Sequence, residues 1–442
     1  MTLLYGHKRR KEALVAILAA LCLALAVTGY AQERRVRALT LQVSATYHKA
    51  LYEAAELLGG VRLGLEKFMV SSSPAQRQAI LNDMARQAEG AQDDLSLLPS
   101  DHPALDGSIK FANQVSDYAS VLAQQIGGGG QLGQDDLSQL QGLHTSCVKL
   151  LDQLETLAQA YERGELQFPV EQEDLRSAAQ STQDTQPLVS YPVLLYDGPF
   201  SDGKPEGQVR VPGNPVTQEQ AAQALKDFIG AQRVSQVRLV GESQILSECY
   251  EFEADTESGT LEAGVTKAGG HVLYMLPTSA VDQVNLSQAE CIDLGAQFLA
   301  GKGYGDMAVS YWRQQDGILT VNYAAQQDGV ILYPDLVKLQ ISMANGLVVG
   351  LEAGNYLRNH VSRALPLPLV SEEQAMAQLN GALSVERIRR CVIPLDVGEA
   401  QCWEVTARFQ GGNRYLIYLD TQTGQERSIL QVVEQEDGIL TQ

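Results

Sequence analysis

Thr217-Gln218-Glu219-Gln220, Ser287-Gln288-Ala289-Glu290 and Ser371-Glu372-Glu373-Gln374 decide the fold of the C-terminal half of this chain. Each sets a Ser or Thr three residues before a Glu or Gln, the capping box in which a hydroxyl and a carboxyl or amide satisfy the first free amides of a helix. Each predicts a short helix, with apolar steps at Ala221, Leu225 and Ile229, at Cys291, Leu294 and Phe298, and at Ala375, Leu379 and Leu383. Strands follow every helix and end in a glycine turn, at Gly270, Gly346 and Gly424, which lie 53, 59 and 53 residues after their caps. Three boxes at such similar offsets predict a repeat of about 70 to 80 residues. Within the second unit, Leu319, Val321 and Tyr323 alternate with polar residues, as do Val337, Leu339 and Ile341. Asp316-Gly317, Asp328-Gly329 and Asn345-Gly346 stand between or beside them, and such pairs tolerate the positive φ of tight hairpins. The expected unit is one capped helix on an antiparallel sheet of about four strands, an α+β module. The repeats fall at 213–285, 286–366 and 367–442, after a polar linker at 164–212.

Upstream, at 32–163, the apolar spacing becomes helical. Leu58, Val61, Leu65 and Phe68 form one stripe, and Ile80, Met84, Ala88, Ala91, Leu95 and Leu98 a second. Phe111, Val115, Tyr118, Leu122 and Ile126 form a third, and Leu143, Cys147, Leu150, Leu154, Leu157 and Tyr161 a fourth. Breakers separate them: Ser73 as a cap with Pro74 at the first helical position, Pro99 to Pro103, and Gly127 to Gly130. Four amphipathic helices on short connections predict an antiparallel bundle. The alternative use of these stripes is a coiled-coil interface with a partner, for which only the last keeps a strict heptad.

The amino terminus differs from everything after it. Lys8, Arg9, Arg10 and Lys11 make a basic tail at 1–12, and an uncharged run follows from Ala13 to Gln32. Its apolar part is about as long as a helix needs to cross a ~30 Å hydrocarbon core. It reads as a transmembrane anchor at 13–31 with the tail in the cytoplasm. A signal peptide is the competing reading, since Gly29 and Ala31 offer small residues at a cleavage site. Signal cores of about 7 to 15 residues are shorter, which favours the anchor. Arg34, Arg35 and Arg37 weaken the charge asymmetry that sets its direction. Both readings export the remainder.

That remainder is strongly acidic. Lys and Arg number 33 against 53 Asp and Glu, a formal net charge of −20, and residues beyond the basic tail carry −23. Such a surface repels phosphate backbones, so nucleic acid is excluded as a partner. Hydrophobic content of 45% with 19% charged residues also excludes a disordered chain.

Enzymatic signatures are missing. His7, His48, His102, His144, His271 and His360 are scattered without metal-ligand spacing, and no nucleophile elbow, phosphate loop or dinucleotide motif occurs. No catalytic, cofactor-binding or metal-ligating residue is expected. A glycosidase needs only two placed carboxylates. The adjacent pairs Asp93-Asp94 and Asp135-Asp136 point about 100° apart on a helix, so a solvated face or helix N-terminus explains them better. Trp312 and Trp403 are candidates for a sugar groove, with core packing as the plainer reading. Five cysteines lie beyond the apolar run, and the one pairing the spacing suggests is Cys391 with Cys402 across a hairpin. Two buried thiols on strands are the alternative.

The order of features is specific: an anchor, a helical region, the segment from Tyr191 to Asp202 (Tyr-Pro-Val-Leu-Leu-Tyr-Asp-Gly-Pro-Phe-Ser-Asp), then three repeats. Leu332-Tyr333-Pro334-Asp335-Leu336-Val337-Lys338 and the stretch from Gly346 to His360 add to it, with Tyr47-His48-Lys49-Ala50 in the helical half. This resembles the spore germination protein YpeB family of endospore-forming bacteria. The resemblance implies PepSY-type repeats and a single-pass protein of the spore inner membrane, with its C-terminal region on the cortex side. It implies a non-enzymatic partner that localises or stabilises a cortex-lytic enzyme of the SleB type in the dormant spore, with peptidoglycan as a further contact. The alternatives are a cortex hydrolase in its own right and a PepSY-type inhibitor of an exported protease.

Overall fold

The protein is described by a computed structural model that covers residues 2–99, 103–163, 165, 211, 213–244, 247–278, 283–395, 397–410, 412–435 and 438–441. The expected linker lies outside the described residues except for 165 and 211, as does the segment from Tyr191 to Asp202. The chain divides into two compact units, Met1–Glu66 with Gln78–Leu188, and Lys67–Arg77 with Val189–Gln442.

The first unit is helical. It is built from α1 (Thr2–Val70, continuing into the second unit), α2 (Pro74–Ser96), α3 (Pro103–Gly127) and α4 (Gln134–Glu162). No breaker interrupts the sequence before Ser71, and the backbone runs as one helix of 69 residues. The expected anchor at 13–31 falls on α1, where the side chains up to residue 27 lie outside the described residues. Among the described residues, no helix is long and apolar enough to cross a membrane. Leu51, Leu58, Val61 and Leu65 of α1 are buried, as are Leu81, Met84, Ala88, Ala91 and Leu95 of α2. Gly64 permits a close approach there, since a Cβ on it would stand 2.4 Å from the Met84 side chain. The heptad stripe of α4 is used inside the bundle: Cys147 donates to the Leu58 carbonyl at 3.4 Å and the Tyr161 hydroxyl to the Ser44 carbonyl at 3.0 Å.

The second unit repeats one plan three times. The first repeat is α5 (Gln218–Ile229), β1 (Val234–Ser243), β2 (Cys249–Thr256), β3 (Gly259–Thr266) and β4 (Val272–Pro277). The second is α6 (Gln288–Gly301), β5 (Met307–Gln315), β6 (Ile318–Gln327), β7 (Val330–Ser342) and β8 (Val348–Glu352). After α7 (Gly354–Asn359) the third comprises α8 (Glu372–Ala377), β9 (Leu383–Pro394), β10 (Glu399–Phe409), β11 (Arg414–Asp420) and β12 (Glu426–Gln435), followed by β13 (Gly438–Thr441). All three capping boxes form, with Thr217, Ser287 and Ser371 as caps.

The repetition extends to individual hydrogen bonds. Gly270, Gly346 and Gly424 have φ of 67°, 76° and 76°, and donate to the carbonyls of Thr266, Ser342 and Asp420 at 3.2, 2.7 and 2.8 Å. A non-glycine residue would be strained at each. The residue before each cap is tied to the same turn: Val216 to the carbonyl of Lys267, Leu286 to that of Met343 and Val370 to that of Thr421. Asp316-Gly317 and Asp328-Gly329 hold positive φ at both residues, the hairpin geometry those pairs predict.

Two of the expected helical stripes need correction. In α6 the buried residues are Cys291, Gly295 and Leu299, while Leu294 is 37% exposed. The reason is close packing, for a Cβ on Gly295 would stand 2.2 Å from the Tyr323 hydroxyl and 2.7 Å from Ile341. In the third repeat the helix ends at Ala377, and Leu383 begins β9. Asn380 turns the chain there, accepting from the Ala382 amide at 3.0 Å.

The strands form one sheet, in the order β1-β2-β3-β4-β8-β7-β6-β5-β13-β12-β11-β10-β9. A parallel pairing of β9 with β7, Ile331 opposite Cys391 and Leu332 opposite Val392, joins its far end back to its middle. Strands β5, β6, β7, β9, β10, β11, β12 and β13 thereby close into a ring, whose other seam is Gly438 opposite Arg313. The interior is filled by Ala324, Tyr333, Leu336, Cys391, Cys402, Leu416 and Tyr418. Helices α5 and α6 cover a second core on β1–β8, and α8 a third on the outer side of β10 and β11.

Candidate functional site

The two stretches that carry the family resemblance in the second repeat meet at the seam with the third. Asp335, on β7, is fully buried. The extended segment after α7 returns over it and places Arg363 against it, with bonds of 2.7 and 2.8 Å to the two carboxylate oxygens. His360 Nδ1 lies 2.8 Å from Asp335 Oδ2, and Asn359 donates to the Pro334 carbonyl at 2.8 Å. Tyr356 stacks on the His360 ring at 4.2 Å, one turn earlier in sequence. Arg363 also reaches Glu399 of β10 with bonds of 2.7 and 2.8 Å, so one guanidinium clamps the second repeat to the third. Glu399 first, and then Asp335, raise its pKa above the ordinary arginine range.

Beside this clamp lies a groove of about 460 Å³ lined by Arg363, Leu365, Pro366, Leu395, Gln401 and Arg427, among others. Its charges are paired internally, since Arg427 donates to Asp420 at 2.6 Å and Arg363 is held as described. The Gln401 carboxamide is buried without a hydrogen-bond partner among the described residues. Apolar side chains stand out nearby, with Leu367 82%, Leu369 76% and Val397 91% exposed. Paired charges and an apolar margin suit a surface that holds a partner better than one that moves protons.

A second polar cluster fills the closed ring. Glu404 is fully buried; it accepts from Arg389 at 2.6 Å and from the Tyr333 hydroxyl. Arg389 also donates to the Tyr333 oxygen at 3.0 Å. Burial, and then Glu404, push the Tyr333 phenol well above its ordinary range. Burial opposes the Arg389 charge, but Tyr333 and Glu404 outweigh it and raise its pKa. Glu404 thus holds both the Tyr333 phenol and the Arg389 guanidinium in their protonated forms, which suits a structural network.

Cys391 and Cys402 stand directly opposite each other on β9 and β10, both buried and both free thiols. Burial raises the Cys402 thiol to about 12, and burial with Glu404 and Cys402 raises Cys391. Such thiols are protonated at neutral pH and poor nucleophiles. Among the described residues no group of His, Cys, Asp and Glu is arranged to hold a metal. Asp136 caps α4, accepting from the Gly133 amide at 2.8 Å and the Tyr118 hydroxyl at 3.1 Å. Asp94 is raised by burial and then by Glu53 and Asp93. Trp403 donates to the Val370 carbonyl at 2.9 Å and Trp312 packs on the α6 core, so neither lines the groove. The Arg363 clamp escaped sequence reasoning; its only trace was that Asp335 lies within one stretch of the family resemblance and Arg363 just beyond the end of the other.

Comparison with known proteins covers both units. A family model described as YpeB N-terminal matches residues 35–169, and one described as YpeB sporulation, PepSY1 and PepSY2 domains matches residues 180–366. The chain is similar to the sporulation protein YpeB of Halalkalibacterium halodurans, 21% identical over 96% of this chain and 98% of that protein. It is also similar to the sporulation protein YpeB of Bacillus subtilis, 20% identical over 94% and 96% respectively. The solved Bacillus megaterium YpeB C-terminal domain is 25% identical, covering 50% of this chain and 100% of that domain with a TM-score of 0.46.

Proposed function

This chain belongs to the YpeB family of sporulation proteins, and on that premise we propose that it is a non-enzymatic partner that localises or stabilises a cortex-lytic, SleB-like enzyme in the dormant spore. Residues 13–31 tether it to the spore inner membrane as a single transmembrane helix, and the repeats face the cortex. The observation that carries this reading is the near full-length similarity to proteins named for sporulation. Its physical support is the seam between the second and third repeats, where Arg363 holds Asp335 to Glu399 beside a groove whose other cation, Arg427, is paired with Asp420.

Deleting the gene is expected to remove the lytic enzyme from dormant spores and to block cortex breakdown at germination, measured by immunoblotting and muropeptide release. Unchanged enzyme levels with normal cortex breakdown would overturn the proposal. Muropeptides released from cortex sacculi by the purified chain alone would replace it with a hydrolase.

A further inference from the structure

The first strand of a repeat needs a neighbour on its outer side, and two of the three have one. In the second repeat β5 takes β13, with Gly438 opposite Arg313. In the third, β9 takes β7 at Ile331–Cys391 and Leu332–Val392. The equivalent strand of the first repeat, β1, ends the sheet, and among the described strands nothing pairs with its outer side. Alternate backbone amides and carbonyls of an edge strand point away from the sheet, which makes it a template for another chain. Proteins usually blunt such edges with charge, as β9 does along its unpaired half with Glu386, Arg387, Arg389 and Arg390. β1 is ten residues long, its Leu239 and Val240 are 42% and 56% exposed, and it carries only Arg238 and Glu242 as charges. Both are already paired, Arg238 with Asp255 and Glu253 at 2.5 and 3.0 Å and Glu242 with Lys267 at 2.5 Å.

The neighbouring face indicates what the added chain carries. Glu251, Glu253 and Asp255 alternate along β2, and Glu262 of β3 stands directly opposite Glu253. Like charges opposed across a ladder are unfavourable. Arg238 is the one basic side chain that β1 sets against these four carboxylates. An added strand would lie about 4.8 Å beyond β1 and about 9.6 Å from β2, within reach of a long basic side chain.

We propose that β1 accepts an extended basic segment of a partner protein as an added strand, with main-chain bonds along Val234–Ser243 and alternate Lys or Arg side chains lying toward Glu253 and Asp255 of β2, behind which Glu262 adds to the negative field. This rests on the reading of the chain as a binding protein and names the surface it binds with. The test uses the full chain in detergent and two synthetic probes, an alternating Lys-Val peptide and an alternating Glu-Val peptide of equal length. The basic probe is expected to bind more tightly by about tenfold or more, to weaken as salt rises, and to slow amide hydrogen exchange in β1. The double variant Glu253→Lys with Glu262→Lys, checked for an unchanged melting temperature, is expected to reverse that preference. Equal binding of the two probes, or protection that falls outside β1, would overturn the proposal. In spores the two ideas separate: enzyme lost on gene deletion but retained with the double variant leaves the partner reading standing and removes β1 as its surface.

Discussion

Arg363 holds three things at once, the buried Asp335, the neighbouring repeat through Glu399, and the strap that leads into the third helix. Removing it would take the guanidinium away from the buried Asp335 carboxyl, and a broken buried pair costs about 3–5 kcal/mol. Arg363→Ala is therefore expected to lose that much in urea denaturation. Asp420 supports a dependence on pH. Burial pulls its carboxyl upward, but Arg427 and the amides of Gln422 and Thr423 outweigh it and hold the pKa below the ordinary value. A depressed folded pKa means that the stabilisation is present above the ordinary aspartate range of about 3.9 and is lost as pH falls through the lower, folded value. Asp420→Asn is expected to cost about 1–3 kcal/mol at neutral pH, and the gap from the parent protein to narrow in melts taken below about pH 4. None of these ionic partners was legible in the sequence, because Asp335 and Arg363 lie 28 residues apart and are joined only by the path of the strap. The Cys391–Cys402 opposition was legible, since it needs only a hairpin of the right length.

Local chemistry was readable wherever it acts within a few residues. Thr217, Ser287 and Ser371 each accept from the amide three residues on, at 3.3 Å in every case, and each box is closed by the returning side chain. Replacing any one cap by Ala is expected to cost about 1 kcal/mol. The cost should appear in thermal melts for all three, although α8 has only six residues, because the same turn carbonyl also anchors its entry. The stripe of α6 was misread because a glycine weighs little in an apolar pattern, yet Gly295 is where the helix comes down onto Tyr323. Gly295→Ala is expected to destabilise by about 1–3 kcal/mol, against the gain Ala normally brings to a helix, as read by chemical denaturation. Leu383 was misread for another reason. It keeps helical spacing from Leu379, but Asn380 and Gly381 turn the chain between them.

The closure of the ring is a property of the whole second unit, and no window of sequence contains it. One seam rests on two parallel pairs between β7 and β9, and the other on a single pair between β13 and β5. Period and turn chemistry predict strands and hairpins, but not which distant edges meet. Gly438 marks the second seam, since a Cβ there would stand 2.8 Å from the Trp312 carbonyl and 3.1 Å from the Arg313 backbone. Gly438→Val is expected to part β13 from β5 and lower the melting temperature, with faster exchange of amides in both strands as the local check. The first repeat is joined to the ring differently, through β4 and β8 at Tyr274–Glu352 and Met275–Leu351. The two seams also change what a cut in the covalent chain would do. Between His360 and Ser371 the strap is exposed at Val361, Leu367 and Leu369, an inviting place for a protease. A nick there would yield two fragments on a denaturing gel that still travel together in native chromatography, because each half supplies strands to the ring that the other half completes.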